Sequence, residues 1–146
     1  MLDPQEIGRS KFFAALTDAE LRDVAALMQK VDYAAGSTIF NQGDIGDRFY
    51  FIARGTVQVW LKLPDGGSRE LAALGPGQYF GELALLDDLP RSADVVCGED
   101  SRLWSLQRED FINLLRGNIN LAVKLLQVLA RRLRQANRQI QDLSAL

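Results

Sequence analysis

The chain has 146 residues, 47% apolar and 25% charged, with a formal net charge of −2, the composition of one globular domain with a core of ordinary size. It holds no histidine and one cysteine, which excludes Ser-His-Asp and Cys-His catalysis, the common zinc, copper and non-haem iron sites, an internal disulfide and a cysteine-held iron–sulfur cluster. No apolar run approaches the roughly 18 residues that span a bilayer and no signal peptide opens the chain, so the expected location is cytoplasmic, with no membrane partner.

Asp3-Pro4 is a helix start, an N-cap oxygen followed by proline, leading to about Ser10. Thr17-Asp18-Ala19-Glu20 is a capping box, in which Thr and the Glu three residues on satisfy each other's orphan N–H groups. Leu21, Val24, Ala25 and Met28 then recur at helical spacing, so residues 1–32 are expected to be packing helices. From Tyr33 to about Gln107 short apolar runs alternate with glycines, which indicates strands and turns. Residues 56–63 form the clearest strand, and Pro64-Asp65-Gly66-Gly67 turns it back into residues 68–74 as a hairpin. Further strands are expected at 39–40, 48–53, 78–80, 94–97 and 102–106. Many short strands with glycine corners and no long intervening helix predict a mainly β fold, a roll of about eight strands (a jelly-roll-like barrel) over 33–107. Cys97 follows Val95-Val96 and reads as a buried small hydrophobe.

The roll is interrupted at 81–93, GELALLDDLPRSA. Gly81 lets the backbone approach a ligand closely. Glu82-Leu83-Ala84-Leu85-Leu86 opens a short helix whose first N–H groups have no internal partner and can face a phosphate. Arg91 adds a permanent charge and a planar, two-pronged donor. A carboxylate beside a phosphate makes sense if Glu82 accepts from a neighbouring sugar hydroxyl while Arg91 offsets its charge. Together these features point to a nucleotide. Plainer roles stand beside them: a surface ion pair of Arg91 with Asp87 or Asp88, a helix-terminal charge at Glu82, and turn chemistry at Ser92.

Phe80-Gly81-Glu82-Leu83-Ala84-Leu85 followed by Pro90-Arg91-Ser92-Ala93 resembles the phosphate-binding cassette of cyclic nucleotide-binding domains. The family includes the bacterial catabolite activator protein, regulatory subunits of cyclic AMP-dependent kinase and cyclic nucleotide-gated channels. The likeness extends over Phe12-Phe13, Gly36, Gly43-Asp44, Tyr50-Phe51-Ile52 and Gly55 to the last helix. It implies a single domain, 1–146, with the cassette at 80–93 and no enzymatic activity. It further implies that Arg91 and Ser92 bind the cyclic phosphate with the backbone N–H groups of Leu83, Ala84 and Ala93, and that Glu82 binds the ribose 2′-hydroxyl. Val59, Leu71 and Leu74 are expected near sugar or base, or else as plain core. A last-helix residue usually covers the base in this family; where the bacterial regulators tend to present Thr-Ser, this chain departs with Ala136-Asn137, of which Asn137 can hydrogen-bond a base edge. Cyclic AMP is favoured over cyclic GMP.

Gln107-Arg108-Glu109-Asp110 leads into a helix through Leu115, broken near Gly117-Asn118, with Asn118 capping the next. There Ile119, Ala122, Leu126, Leu129, Leu133, Ala136, Ile140 and Leu143 form an unbroken heptad seam. A second apolar stripe, Leu121, Leu125 and Val128, gives way to Arg132, Gln135 and Gln139. The early turns are therefore expected to pack on the roll and the whole seam on a second copy, as a parallel homodimer through this last helix, residues 108–146 serving as hinge and dimerisation helix. Residues 101–146 carry 8 basic and 3 acidic side chains, yet without a reading head they are expected to bind no nucleic acid directly. Two other readings remain open: a dimerising interaction protein with a degenerate pocket, and the ligand-binding half of a transcription regulator lacking its helix-turn-helix. The downstream protein partner is not identified by the sequence.

Overall fold

The computed structural model describes residues 3–8, 10 and 12–144, with side chains through residue 142. Helix α1, Pro4–Gly8, is followed by a 3₁₀ turn at Phe13–Ala15 and by α2, Asp18–Leu27. The α2 capping box forms as expected: Glu20 N donates to Thr17 Oγ1 and Thr17 N to Glu20 Oε1. Eight described strands follow: β1 Gln29–Tyr33, β2 Thr38–Phe40, β3 Arg48–Arg54, β4 Val57–Lys62, β5 Ser68–Leu74, β6 Tyr79–Phe80, β7 Asp94–Cys97 and β8 Ser101–Gln107. They form two antiparallel four-stranded sheets, ordered β1-β8-β3-β6 and β2-β7-β4-β5. The fold is thus the expected roll of eight strands, built as two four-stranded sheets rather than as one closed barrel.

Strand β1 differs from expectation, because its first four residues, Gln29 to Asp32, lie in the segment assigned to helices. Its sequence, QKVDY, has a single aliphatic residue and little pattern of its own. Pairing with β8, Gln29 opposite Ser105 through Tyr33 opposite Ser101, makes it a strand. That decision is tertiary.

Strand β3 is buried on both faces, which explains its uninterrupted Phe49-Tyr50-Phe51-Ile52. Phe49 and Phe51 meet Phe12, Phe13, Tyr79, Trp104, Phe111, Leu121 and Leu125 in a core between the first sheet and the helices. Tyr50 and Ile52 meet Val57, Phe80, Val95, Cys97 and Leu103 in a second core. The hairpin forms as expected, Leu63 N donating to Gly67 O and Gly66 N to Leu63 O. Its register shifts between Val59, opposite Ala72, and Trp60, opposite Glu70. Leu71 is therefore the extra residue of a bulge.

Helix α3, Glu82–Asp87, carries the cassette, and α4, Arg108–Gly117, leads to α5, Ile119–Ser144. Asn118 Oδ1 caps α5 by accepting from Leu121 N at 3.0 Å, while its Nδ2 donates to Glu20 Oε2 at 2.7 Å. With 26 residues, α5 is about 39 Å long. Leu121 and Leu125 are buried, Val128 and Leu129 half-buried, and every residue from 130 to 142 is exposed. On the seam, Leu126 is 64% and Leu133 63% exposed, so the chain's own roll leaves these positions uncovered, while Leu129 packs partly against its core. Leu143, the last seam position, lies outside the described side chains.

Candidate functional site

The cassette starts with a left-handed residue. Gly81, φ +89°, caps α3, and a Cβ there would stand 2.9 Å from Arg91 Nη1 and 3.0 Å from the Arg48 carbonyl oxygen. Glycine is required on both counts, conformation and space. At the other end Asp88, φ +58°, terminates the helix and forms an ion pair with Arg108 of α4. The six-residue helix is thereby fixed at both termini before any ligand is considered.

Arg91 is 5% exposed, unlike a surface ion-pairing residue. Its main chain is pinned to the 41–47 loop, Arg91 N donating to Asp44 O at 2.7 Å and Gly43 N to Arg91 O at 2.8 Å. Its guanidinium donates from Nη1 to Gly81 O and from Nη2 to Arg48 O, both at 2.7 Å, and its Cζ lies 4.1 Å from the Phe40 ring centroid. Among the described residues no carboxylate pairs with it directly. Burial pulls its pKa below the ordinary value, against the more distant pull of Tyr50, Asp47, Glu82 and Asp44. A cation held this way, with donors left over, is suited to an incoming anion.

Glu82 is 2% exposed. Its Oε1 accepts from Arg132 Nη1 of α5 at 2.5 Å, and the Arg132 Cζ sits 5.5 Å from the Tyr79 ring centroid. Tyr79 is the residue before Phe80 of the cassette, and its phenol pKa is pushed up to about 12, first by burial and then by the Glu82 charge. The cassette and the long helix are therefore joined by a buried carboxylate and a half-exposed guanidinium.

The remaining candidates are distributed around this pair of charges. Ala84 and Ala93 are buried, and Leu83 and Ser92 exposed. Val59 and Leu74 are half-buried against the inter-sheet core. Leu71 is 46% exposed at its bulge. Asn137 is exposed on α5, five residues past Arg132 and so about 7.5 Å further along the axis. Among the described residues no hydrogen bond joins it to the cassette within one chain. A cleft of about 760 Å³ lined by Arg48, Leu85, Leu86, Arg108, Ile112 and Arg116, among others, touches neither Arg91 nor Glu82, so it is not this cradle.

Three contributors escaped sequence reasoning: Phe40, Gly46 and Arg132. Gly46 has no unusual φ, but a Cβ there would meet the Ala84 Cβ at 2.5 Å and Arg91 Nε at 2.9 Å. Arg132 did leave a signal. It continues the stripe of Leu121, Leu125 and Val128, the face α5 turns to the roll, and a cation aimed at a core needs an anion there.

The cyclic nucleotide-binding domain family model matches residues 30–118. The "Cyclic AMP receptor protein" of Thermus thermophilus is 41% identical over 135 residues, covering 92% of this chain and 62% of that protein. A cAMP-dependent protein kinase regulatory subunit of Mycosarcoma maydis is 38% identical, over 75% of this chain and 23% of its own length. The crystal structure of Thermus thermophilus catabolite activator protein superimposes with a TM-score of 0.84, covering 92% of this chain and 63% of that one. The chain thus spans less than two thirds of the bacterial relatives it matches.

Proposed function

Because the chain belongs to the cyclic nucleotide-binding domain family, we propose that it is a non-enzymatic sensor of a cyclic nucleotide, cyclic AMP in preference to cyclic GMP. The observation that carries this reading is Arg91, a guanidinium taken out of water with two N–H groups on carbonyls and no carboxylate pair among the described residues. A singly charged cyclic phosphate completes that environment, with further donors from Ser92 and from the backbone of Leu83, Ala84 and Ala93. Glu82 accepts the ribose 2′-hydroxyl, and Val59 and Leu71 flank the sugar and base. The preference for cyclic AMP draws on the name of the Thermus thermophilus relative.

The signal runs through α5. A ribose hydroxyl on Glu82 shares or displaces the Arg132 bond, so ligand occupancy and helix placement become one equilibrium. Ligand shifts that equilibrium only by its difference in affinity for the two placements. The exposed seam through Leu126 and Leu133 pairs two copies in parallel. Asn137 flanks that seam and is then presented toward the second copy and its base site. A protein that reads the placement of α5 is the downstream partner.

Calorimetric titration with cyclic AMP and cyclic GMP tests the reading. Saturable binding, weakened about ten- to a hundred-fold by Arg91→Ala, is expected for a charge-assisted contact of roughly 1.5–3 kcal/mol. No binding of either nucleotide would leave the dimerising interaction module as the better description.

A further inference from the structure

Tyr79 lies on β6 opposite Phe51, its ring packed at 4.5 Å from that of Phe12 and 5.5 Å from that of Phe49. It is 6% exposed, and its hydroxyl has no hydrogen-bond partner among the described residues. A buried orphan hydroxyl is costly, whereas phenylalanine would fill the same apolar site without that cost. The phenol also sits within the field of Glu82, Arg132 and Arg131, beneath the Arg132 guanidinium. Its ring therefore borders the Glu82–Arg132 ion pair, which among the described residues is the one that ties the cassette to α5. A phenolic oxygen can accept from a guanidinium, and its proton can be donated to a carboxylate. Glu82 Oε1 and Arg132 Nη1 are committed to each other.

We propose that the Tyr79 hydroxyl is a positioning group for the ligand-bound state, gaining a hydrogen bond to Glu82 or Arg132 when a ribose hydroxyl reorganises that pair. The bond that the hydroxyl lacks among the described residues is then made on binding, and it favours the α5 placement that goes with ligand. This rests on the cyclic nucleotide reading above and deepens it, by naming a side chain that converts occupancy into helix position.

Tyr79→Phe tests it, with thermal unfolding of the free protein and calorimetric titration with cyclic AMP and cyclic GMP, each beside the wild type. The expected result is a pair of opposite effects: the free variant melts higher, yet binds the nucleotide about three- to ten-fold more weakly. A purely structural hydroxyl does not produce that combination. Higher melting with unchanged or tighter binding overturns the inference, since the hydroxyl would then be orphaned in both states. Unchanged or lower melting of the free variant overturns it too, whatever the affinity, since the hydroxyl would already be satisfied without ligand. If the wild type binds neither nucleotide, the functional reading fails first and this inference falls with it. Wild-type binding that Tyr79→Phe leaves untouched sinks this inference alone.

Discussion

Gly46 and Arg91 work as a pair. A methyl group at position 46 would stand 2.5 Å from the Ala84 Cβ and 3.0 Å from Arg91 Cζ, distances at which one neighbour must move. Gly46→Ala is therefore expected to cost about 1–3 kcal/mol of stability by overpacking and to weaken nucleotide binding by displacing the guanidinium. Adding Ala84→Gly removes the nearer clash and should recover part of the stability, measured by denaturant unfolding. If Gly46→Ala is silent in both measurements, the glycine is not what seats Arg91. Arg91→Lys probes the same seat differently. Lysine keeps the charge but cannot bridge the Gly81 and Arg48 carbonyls while lying over Phe40. It should lose stability and affinity together, and preserved affinity would mean that charge alone suffices.

At the scale of the element, α5 has two faces with different duties. Leu121 and Leu125 are buried in the chain's own core, so either one replaced by alanine should cost about 2–5 kcal/mol. Leu126 and Leu133 are largely exposed. Leu126→Asp and Leu133→Asp should leave the unfolding free energy of a dilute monomer nearly unchanged while abolishing association in sedimentation experiments. A wild-type protein that sediments as a monomer at micromolar concentration would end the dimer proposal. Arg132 belongs to neither face alone. Arg132→Ala strands the buried Glu82 carboxylate, and the expected loss is a few kcal/mol. That falls below the roughly 3–5 of a fully enclosed pair, because the Arg132 side chain is 41% exposed. Glu82→Gln in the Arg132→Ala background should restore much of that loss, because a neutral amide needs no counter-charge.

For the molecule as a whole, burial leaves a pH signature. Tyr33, Tyr50 and Tyr79 all have phenol pKa values raised above 10.0, chiefly by desolvation, Tyr79 to about 12. The unfolded phenols ionise near pH 10 while the folded ones still hold their protons, so stability is full below that pH and falls as pH rises through the folded values. Urea unfolding should give a lower free energy at pH 11 than at pH 9, and tyrosinate absorbance should appear later in folded than in unfolded protein; coincident titrations would contradict the burial. Much of this molecule follows from local chemistry. The α2 capping box, the Pro64–Gly67 turn, the Asn118 cap and the two-then-one striping of α5 are short-range patterns, and each forms where its residues lie. The motif at 81–93 is equally local, since a glycine, a carboxylate and an arginine at that spacing have few joint uses. What tertiary structure decided is what depends on residues far apart in the chain. β1 is a strand only because β8 offers it an edge, and the make-up of the sheets rests on pairings between distant segments, β2 with β7 and β3 with β8. Gly46 matters only because Arg91 arrives 45 positions later. Glu82 finds Arg132 across 50, and the Tyr79 hydroxyl ends up buried without a hydrogen-bond partner among the described residues. Capping, turns and periodicity are energies of neighbours, and a sequence displays them directly; ion pairs, close approaches and orphaned polar atoms are energies of meeting, and only the folded chain shows who meets.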